Sequence, residues 1–175
     1  MKIKEIISTI KKLIDYAFYD ELTKCLNRRG LKWKIEEFEL FSKKNKEKRK
    51  ETHALILVDI DNLKYVNDNF GYYKGDRLIK TIALNLKRNF RKEDLICRWG
   101  GDEFLIIAMH IKKKGFAKRL KEIKKDINSN LKKLYSGISI GFSFFGSSND
   151  FKKIFEKANK ELKKDKKKKI IKVKR

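Results

Sequence analysis

The sequence predicts an α+β domain in which helices flank a central sheet that is mixed and mainly antiparallel. Three observations lead there. One near-continuous apolar run of strand length, "HALILVDI" from His53 to Ile60, stands before a long helical crossover, which argues against a doubly wound parallel sheet. Two further apolar runs, "DLICRW" and "EFLIIAM", meet across Gly100-Gly101-Asp102 as a hairpin. The stretch "SGISIGFSFF" alternates Ile138, Ile140, Phe142 and Phe144, the pattern of a half-buried strand.

The elements follow in order. Ile3, Ile6, Ile10, Leu13 and Ala17 recur at spacings of three and four, with Ile7 and Ile14 beside them. That is an amphipathic helix with a short heptad-like seam, able to dock on its own domain or to serve as a dimer stalk. "DELTKCLNRRG" reads as a break, with Thr23 and Asn27 suited to turns and caps and Gly30 at its end. Leu31, Ile35, Phe38 and Phe41 drive a second helix that frays into the charged loop "SKKNKEKRKET". After the buried strand, "DNLKYVNDNFGYYKGD" reads as a short helix and a glycine-punctuated loop. Leu78, Ile79, Ile82, Ala83, Leu86 and Phe90 mark the next helix, with Asp76 as its N-cap. Phe116, Leu120, Ile123, Ile127 and Leu131 give another. Phe151, Ile154, Phe155, Ala158 and Leu162 give the last long one. "KIIKV" is expected to add a short edge strand blunted by its lysines.

Composition narrows the function classes. At 175 residues, with 41% hydrophobic and 40% charged, the chain suits one domain with a real core. It has no run of eighteen apolar residues, so no membrane span is expected, and its start lacks the pattern of a signal peptide. Two cysteines, Cys25 and Cys97, make neither a disulfide framework nor a CxxC, which fits a reducing cytoplasm. The net charge of +24 would draw polyanions, but most lysines fall at helix-surface spacing. The tail "KKDKKKKIIKVKR" is dense enough for nonspecific phosphate or nucleic-acid contact and no more.

The chemistry concentrates in carboxylates. Asp59 and Asp61 stand at the end of the buried strand; Asp102 and Glu103 stand at the hairpin tip. A strand end and a hairpin tip can lie side by side in one sheet, where clustered acids call for a cation. Carboxylates without a Cys/His set suit Mg²⁺ or Mn²⁺ rather than zinc, and His53 and His110 each stand alone. "IDNLK" turns from strand into helix, placing a helix start and Lys64 beside the acids, where anions are favoured. Gly100 and Gly101 let a ligand approach the backbone. This combination points to a nucleoside triphosphate and metal-assisted phosphoryl transfer, and there is no GxxxxGK[ST] loop.

"DELTKCLNRRG", "LVDIDNLKYVNDNFGYYKGD", "RKEDLICRWGGDEF" and "SGISIGFS" stand in an order and spacing that resembles the GGDEF family of diguanylate cyclases, from Asp20 to the last helix. The resemblance implies a palm-like fold shared with nucleotide cyclases. It implies one GTP and two Mg²⁺ (or Mn²⁺) per active site. It also implies a homodimer in which each ribose 3′-oxygen attacks the α-phosphorus of the other GTP, giving cyclic di-GMP and two pyrophosphates. Residues 1–19 would be a stalk-like helix and 20–175 the catalytic domain with a Lys-rich tail. By position, Asp59, the Ile60 carbonyl, Asp102 and Glu103 would hold metal, with Asp102 helping to deprotonate the 3′-hydroxyl. Asn62, Leu63 and Lys64 would line the phosphates, Gly100 and Gly101 would open the tip to GTP, and Lys166 would contact phosphate. Asn67 and Asp76 would hydrogen-bond the guanine edge, favouring GTP over ATP. Arg91 and Asp94 fall where the family carries its RxxD inhibitory site, so product inhibition by cyclic di-GMP is expected.

Several positions depart from the family pattern. Tyr72 replaces the usual His, Asn159 the Asp and Lys163 the Tyr of the last helix, and Ile170 falls where an Arg usually contacts phosphate. The core acids are intact, so the enzyme reading stands, with lowered turnover as the expected cost. The alternatives are a catalytically weak or inactive module that binds cyclic di-GMP or GTP, a nucleic-acid-binding protein, and a related cyclase with another product. Relatives usually carry a sensor before the first helix. The chain begins close to that helix, as a bare catalytic domain or a fragment would.

Overall fold

Strand β1 (His53–Asp61) organises the protein because both of its faces are buried. In the computed structural model, residues 3–44, 51–132, 136–146 and 150–173 are described, with side chains left aside at 38–44 and 169–173. Side chains alternate across a strand, so β1 feeds two cores. Ala54, Ile56, Val58 and Ile60 join one cluster with Leu78, Ile82 and Leu86 of α4 (Tyr72–Asn89) and Leu120, Ile123 and Ile127 of α5 (Phe116–Leu131). Leu55 and Leu57 join the other, with Leu31 of α2 (Arg28–Lys44) and Ile154, Ala158 and Leu162 of α6 (Phe151–Val173). Each fully buried Leu or Ile contributes about 1.5–3 kcal/mol. The protein is therefore three-layered: α4 and α5, then the sheet, then α2 and α6.

The sheet has the order β2-β3-β1-β4, with β2 (Leu95–Arg98), β3 (Glu103–Ala108) and β4 (Gly137–Phe145). Every neighbouring pair is antiparallel. The chain leaves β1 through α3 (Leu63–Phe70) and α4, passes β3, and enters β2, which runs parallel to β1 one strand away. The predicted α+β architecture is the one observed. Both outer strands are covered. On the β2 side, Leu26 N–H donates to the Ile96 carbonyl at 2.9 Å and Arg98 N–H to the Leu26 carbonyl at 2.8 Å. On the β4 side, Ile138 N–H donates to Asn128 Oδ1 at 2.6 Å and Ile140 N–H to Asp165 Oδ2 at 2.9 Å. These bonds satisfy donors that an open edge would expose.

Several expectations change. "KIIKV" is the end of α6 and not an edge strand; Asn128 and Asp165 protect the edge instead. Asp76 is not an N-cap but lies inside α4, whose cap is Gly71 at φ +80°, so the expected loop shrinks to that single glycine. Gly30 does not end the break; it sits in the first turn of α2, where it packs against the Phe18 carbonyl. β4 is buried more fully than its alternation implied: Ile138, Phe142 and Phe144 face α5, while Ser139, Gly141 and Ser143 are buried beneath α6. Phe38, Phe41 and Ile170 lie outside the described side chains, and most of the loop after α2 lies outside the described residues.

Helix α1 (Ile3–Phe18) buries none of its residues, and Ile3, Ile7, Ile10 and Leu13 are at least half exposed. Cys25 and Cys97 are free and buried, and burial first, then the neighbouring Cys25 thiol, push Cys97 up to about 12. Among the described residues no helix is long and apolar enough to cross a membrane.

Candidate active site

The alternation that builds the second core also aims Asp59. Residues 55, 57, 59 and 61 share the face of β1 that α6 covers. On α6, Ile154, Ala158, Leu162 and Lys166 recur every fourth residue and form one stripe toward the sheet. The stripe is apolar until it reaches the strand end, where Lys166 Nζ lies 2.6 Å from Asp59 Oδ2. The Asp59 side chain is only 8% exposed. Burial raises its carboxyl above the ordinary range; the Lys166 hydrogen bond and charge oppose this, and Asp102 and Asp61 add to it. The two acids on the strand differ in role, since Ser139 Oγ donates to Asp61 Oδ1 at 2.7 Å and Ser136 Oγ to its carbonyl at 2.7 Å.

The hairpin tip meets the same strand end. Asp59 faces Glu103 across the β1–β3 ladder, and Ile60 N–H donates to the Asp102 carbonyl at 2.9 Å. In a strand the N–H and C=O of one residue point the same way, so the Ile60 carbonyl faces the tip as well. Positive φ occurs at Gly71 and Gly115 but not at the tip glycines, so their role there is space. A Cβ at Gly100 would stand 2.9 Å from Glu103 Oε2, and one at Gly101 would meet nothing within 4 Å. Glu103 is exposed and lies over Gly100. Among the described residues no three acidic, His or Cys side chains form a ready metal cage.

After Asp61, Asn62 takes a left-handed conformation at φ 59°, and α3 starts at Leu63. The N–H groups of Leu63 and Lys64 have no acceptor within their own helix, as at every helix start. Asn67 packs against α4 at Gly75, where a Cβ would overlap its Oδ1, and the next residue, Asp76, is exposed. Arg91 and Asp94 are elsewhere, at the far end of β2 from the tip. There Asp94 accepts from Arg91 N–H at 2.8 Å and Met109 N–H at 2.9 Å, while Arg91 is exposed and only 3.7 Å from Glu93.

Three contributors escaped the sequence reading. Asp165, beside Lys166, accepts from Lys124 Nζ at 2.6 and 2.5 Å and from Ile140 N–H, tying α6 to α5 and β4. Arg98 donates to the Gly101 carbonyl at 2.8 Å and pairs with Asp20 at 3.2 Å. Burial alone would raise Asp20, yet two Thr23 hydrogen bonds and Arg98 hold its carboxyl below the ordinary range. Arg28 donates to the Trp99 carbonyl and lies 4.8 Å from the Trp99 ring centre. Asp20, Asn27, Arg28, Arg98, Trp99 and Gly101 line a cleft of about 590 Å³ behind the tip. Asp165 in α6, Arg98 in β2 and Arg28 at the start of α2 belong to no apolar stripe, so no sequence signal marked them.

The family model for the diguanylate cyclase GGDEF domain matches residues 17–170. The chain belongs to the GGDEF family. This GGDEF domain is 25% identical over 179 aligned residues to the diguanylate cyclase DosC of Escherichia coli K12, covering 91% of this chain. It spans 36% of DosC's length. The bifunctional diguanylate cyclase/cyclic di-GMP phosphodiesterase MucR of Pseudomonas aeruginosa is 35% identical over 97 residues, 55% of this chain and 14% of MucR. Among solved structures, the coiled coil and GGDEF domain of DgcB from Caulobacter crescentus, in complex with c-di-GMP, superposes with a TM-score of 0.81 at 22% identity. The match covers 94% of this chain and 88% of that one, and at this identity it speaks for the fold. A microbial GGDEF domain solved with bis-(3,5)-cyclic di-GMP gives 0.71 at 27% identity, covering 86% and 93%.

Proposed function

We propose that this GGDEF domain is a diguanylate cyclase, joining two GTP molecules into cyclic di-GMP with release of two pyrophosphates. The observation that carries this reading is the meeting of a buried Asp59, the Asp102 tip and Lys166 at one strand end. A buried carboxylate that already attracts one cation, with a backbone carbonyl and further acids beside it, fits a hard divalent ion. Mg²⁺ takes one or two carboxylates and completes its shell with water and substrate phosphate, so a full protein cage is not needed. Asp59, the Ile60 carbonyl, Asp102 and Glu103 would hold two Mg²⁺ or Mn²⁺ ions, which neutralise phosphate charge when bound.

The remaining roles belong to the chain. Leu63 and Lys64 N–H groups and the Lys166 ammonium bind phosphate oxygens, with Asn62 setting the turn. Gly101 leaves the tip open to the nucleotide. Asn67 and Asp76 read guanine: a carboxylate accepts from its N1–H and amino group, which adenine does not offer in that place. Asp102 takes the proton as the 3′-oxygen forms its bond to the partner nucleotide's α-phosphorus and pyrophosphate leaves. Two protomers must face each other for this, so a homodimer is required. At the inhibitory site, Asp94 shapes the turn through two backbone bonds, and the exposed Arg91 contacts the product.

Incubation with GTP and Mg²⁺, with chromatography of the products, tests the reading. Wild type should make cyclic di-GMP, and Asp102→Ala/Glu103→Ala should make none. Arg91→Ala should keep the initial rate and lose inhibition by added cyclic di-GMP. A wild type that makes no product, even after bound product is stripped, would point instead to a binding module with an altered last helix.

A further inference from the structure

Lys166 stands where a phosphate ligand would be expected to point at phosphate, yet here its ammonium sits on the proposed metal ligand. We propose that Lys166 is the metal site's own counter-cation, occupying the place of the first metal on Asp59 until a triphosphate offers it other oxygens. The inference rests on reading Asp59 as a metal ligand.

Two observations and one electrostatic principle support it. First, the pair is close and lopsided: 2.6 Å between Nζ and Oδ2, with Asp59 8% exposed and Lys166 43% exposed. A carboxylate that buried is costly without a partner, whereas the lysine can leave it for solvent or phosphate. Second, the backbone that carries Lys166 is held in place. Gly141 lets β4 approach the Ala158 carbonyl and the Leu162 backbone so closely that a Cβ would overlap both. Asp165 then ties the adjoining turn to Lys124 and to Ile140 N–H. What remains free is the four-carbon side chain, which can swing without moving the helix. Third, the metal and the ammonium compete. A Mg²⁺ ion about 2.1 Å from a carboxylate oxygen and an ammonium on the same oxygen repel each other.

The consequence is a coupling between ligands. Metal alone must displace Lys166 and binds weakly. Nucleotide phosphates draw the ammonium away and release Asp59 for the metal, so each ligand raises the affinity for the other. The ammonium also keeps the acidic strand end from repelling itself before substrate arrives.

The test uses nucleotide-free protein and Mn²⁺, with free ion followed by electron paramagnetic resonance. Lys166→Met should bind Mn²⁺ about 5- to 150-fold more tightly than wild type, the usual range of such couplings. Lys166→Arg, which keeps a cation on Asp59, should stay close to wild type. An unchanged or weakened affinity in the Met variant, at unchanged circular dichroism, overturns the proposal. Tightening equally in the Arg variant overturns it too, since loss of lysine packing would then be the cause. Asp59→Asn separates the underlying reading: if it binds Mn²⁺ as wild type does, the metal is not at Asp59 and the site assignment itself falls.

Discussion

His53 shows how much one buried polar side chain can set. It begins β1, is fully buried, and its Nδ1 accepts from His110 N–H at 3.2 Å. His110 and Glu51 face it, and the Phe145 ring lies 5.3 Å away. Burial, and next the His110 charge, lower the His53 pKa from 6.5, while Glu51 opposes them. The folded protein therefore holds His53 neutral where the unfolded chain would take up a proton. Its contribution to stability is complete above about pH 6.5 and is lost as pH falls below that value. Urea unfolding between pH 7.5 and 5.5 should show stability falling toward acid, and His53→Leu should flatten that slope. A slope identical in the variant would place the acid sensitivity elsewhere. Asp59 is set by the same physics: burial raises its carboxyl, and the hydrogen bond and charge of Lys166 oppose that rise.

At the scale of elements, the contact that positions the site is α6 on β4. Gly141 is the point of closest approach, and the stripe Ile154, Ala158, Leu162 continues to Lys166. Gly141→Ala should lift α6 from the sheet, costing about 1–3 kcal/mol as overpacking does, and should remove activity with it. Gly101→Ala places its methyl in open space, so the melting temperature should hold while GTP turnover falls. Equal melting temperatures for the two variants would show that α6 is not seated through Gly141. The alternation of β4 was legible in the sequence, but the partner of its small face was not. Ser139, Gly141 and Ser143 look like an exposed face until a helix is laid on them.

At the scale of the whole molecule, α1 presents a large apolar face to solvent among the described residues. Among the described residues, none of α1 is buried and its face of Ile3, Ile6, Ile7, Ile10, Leu13 and Ile14 is exposed, a feature the sequence had left open between docking and a stalk. A homodimer of this GGDEF domain would cover it. Ile6→Lys/Ile10→Lys should then shift the protein toward monomer in sedimentation and lower activity most at low protein concentration. Its melting temperature as a monomer should not change, because no core contact is lost. A marked drop in that temperature would instead mean that α1 docks on its own domain. The net charge of +24 is carried largely by solvated faces: Lys152, Lys153, Lys160, Lys163 and Lys164 are exposed along α6.

Hydrophobic periodicity and local chemistry carried the sequence reading far, because they are properties of neighbouring residues. The central strand, the hairpin and the helices follow from spacings of two to four residues; the acids at the strand end are local chemistry, and the family motifs were recognised by resemblance. Errors gathered at element ends, at Gly30, Asp76 and "KIIKV", where propensity is weak and tertiary contacts win. What no local pattern contains is which distant side chains meet. Lys166 is 107 positions from Asp59 and Asp165 is 25 from Ile140, yet each pair is within hydrogen-bonding distance. Those meetings exist because the sheet order places β4 beside β1 and the Gly141 contact seats α6 over both. Chain topology and close packing, summed over the whole fold, set a distance that residue types alone leave free.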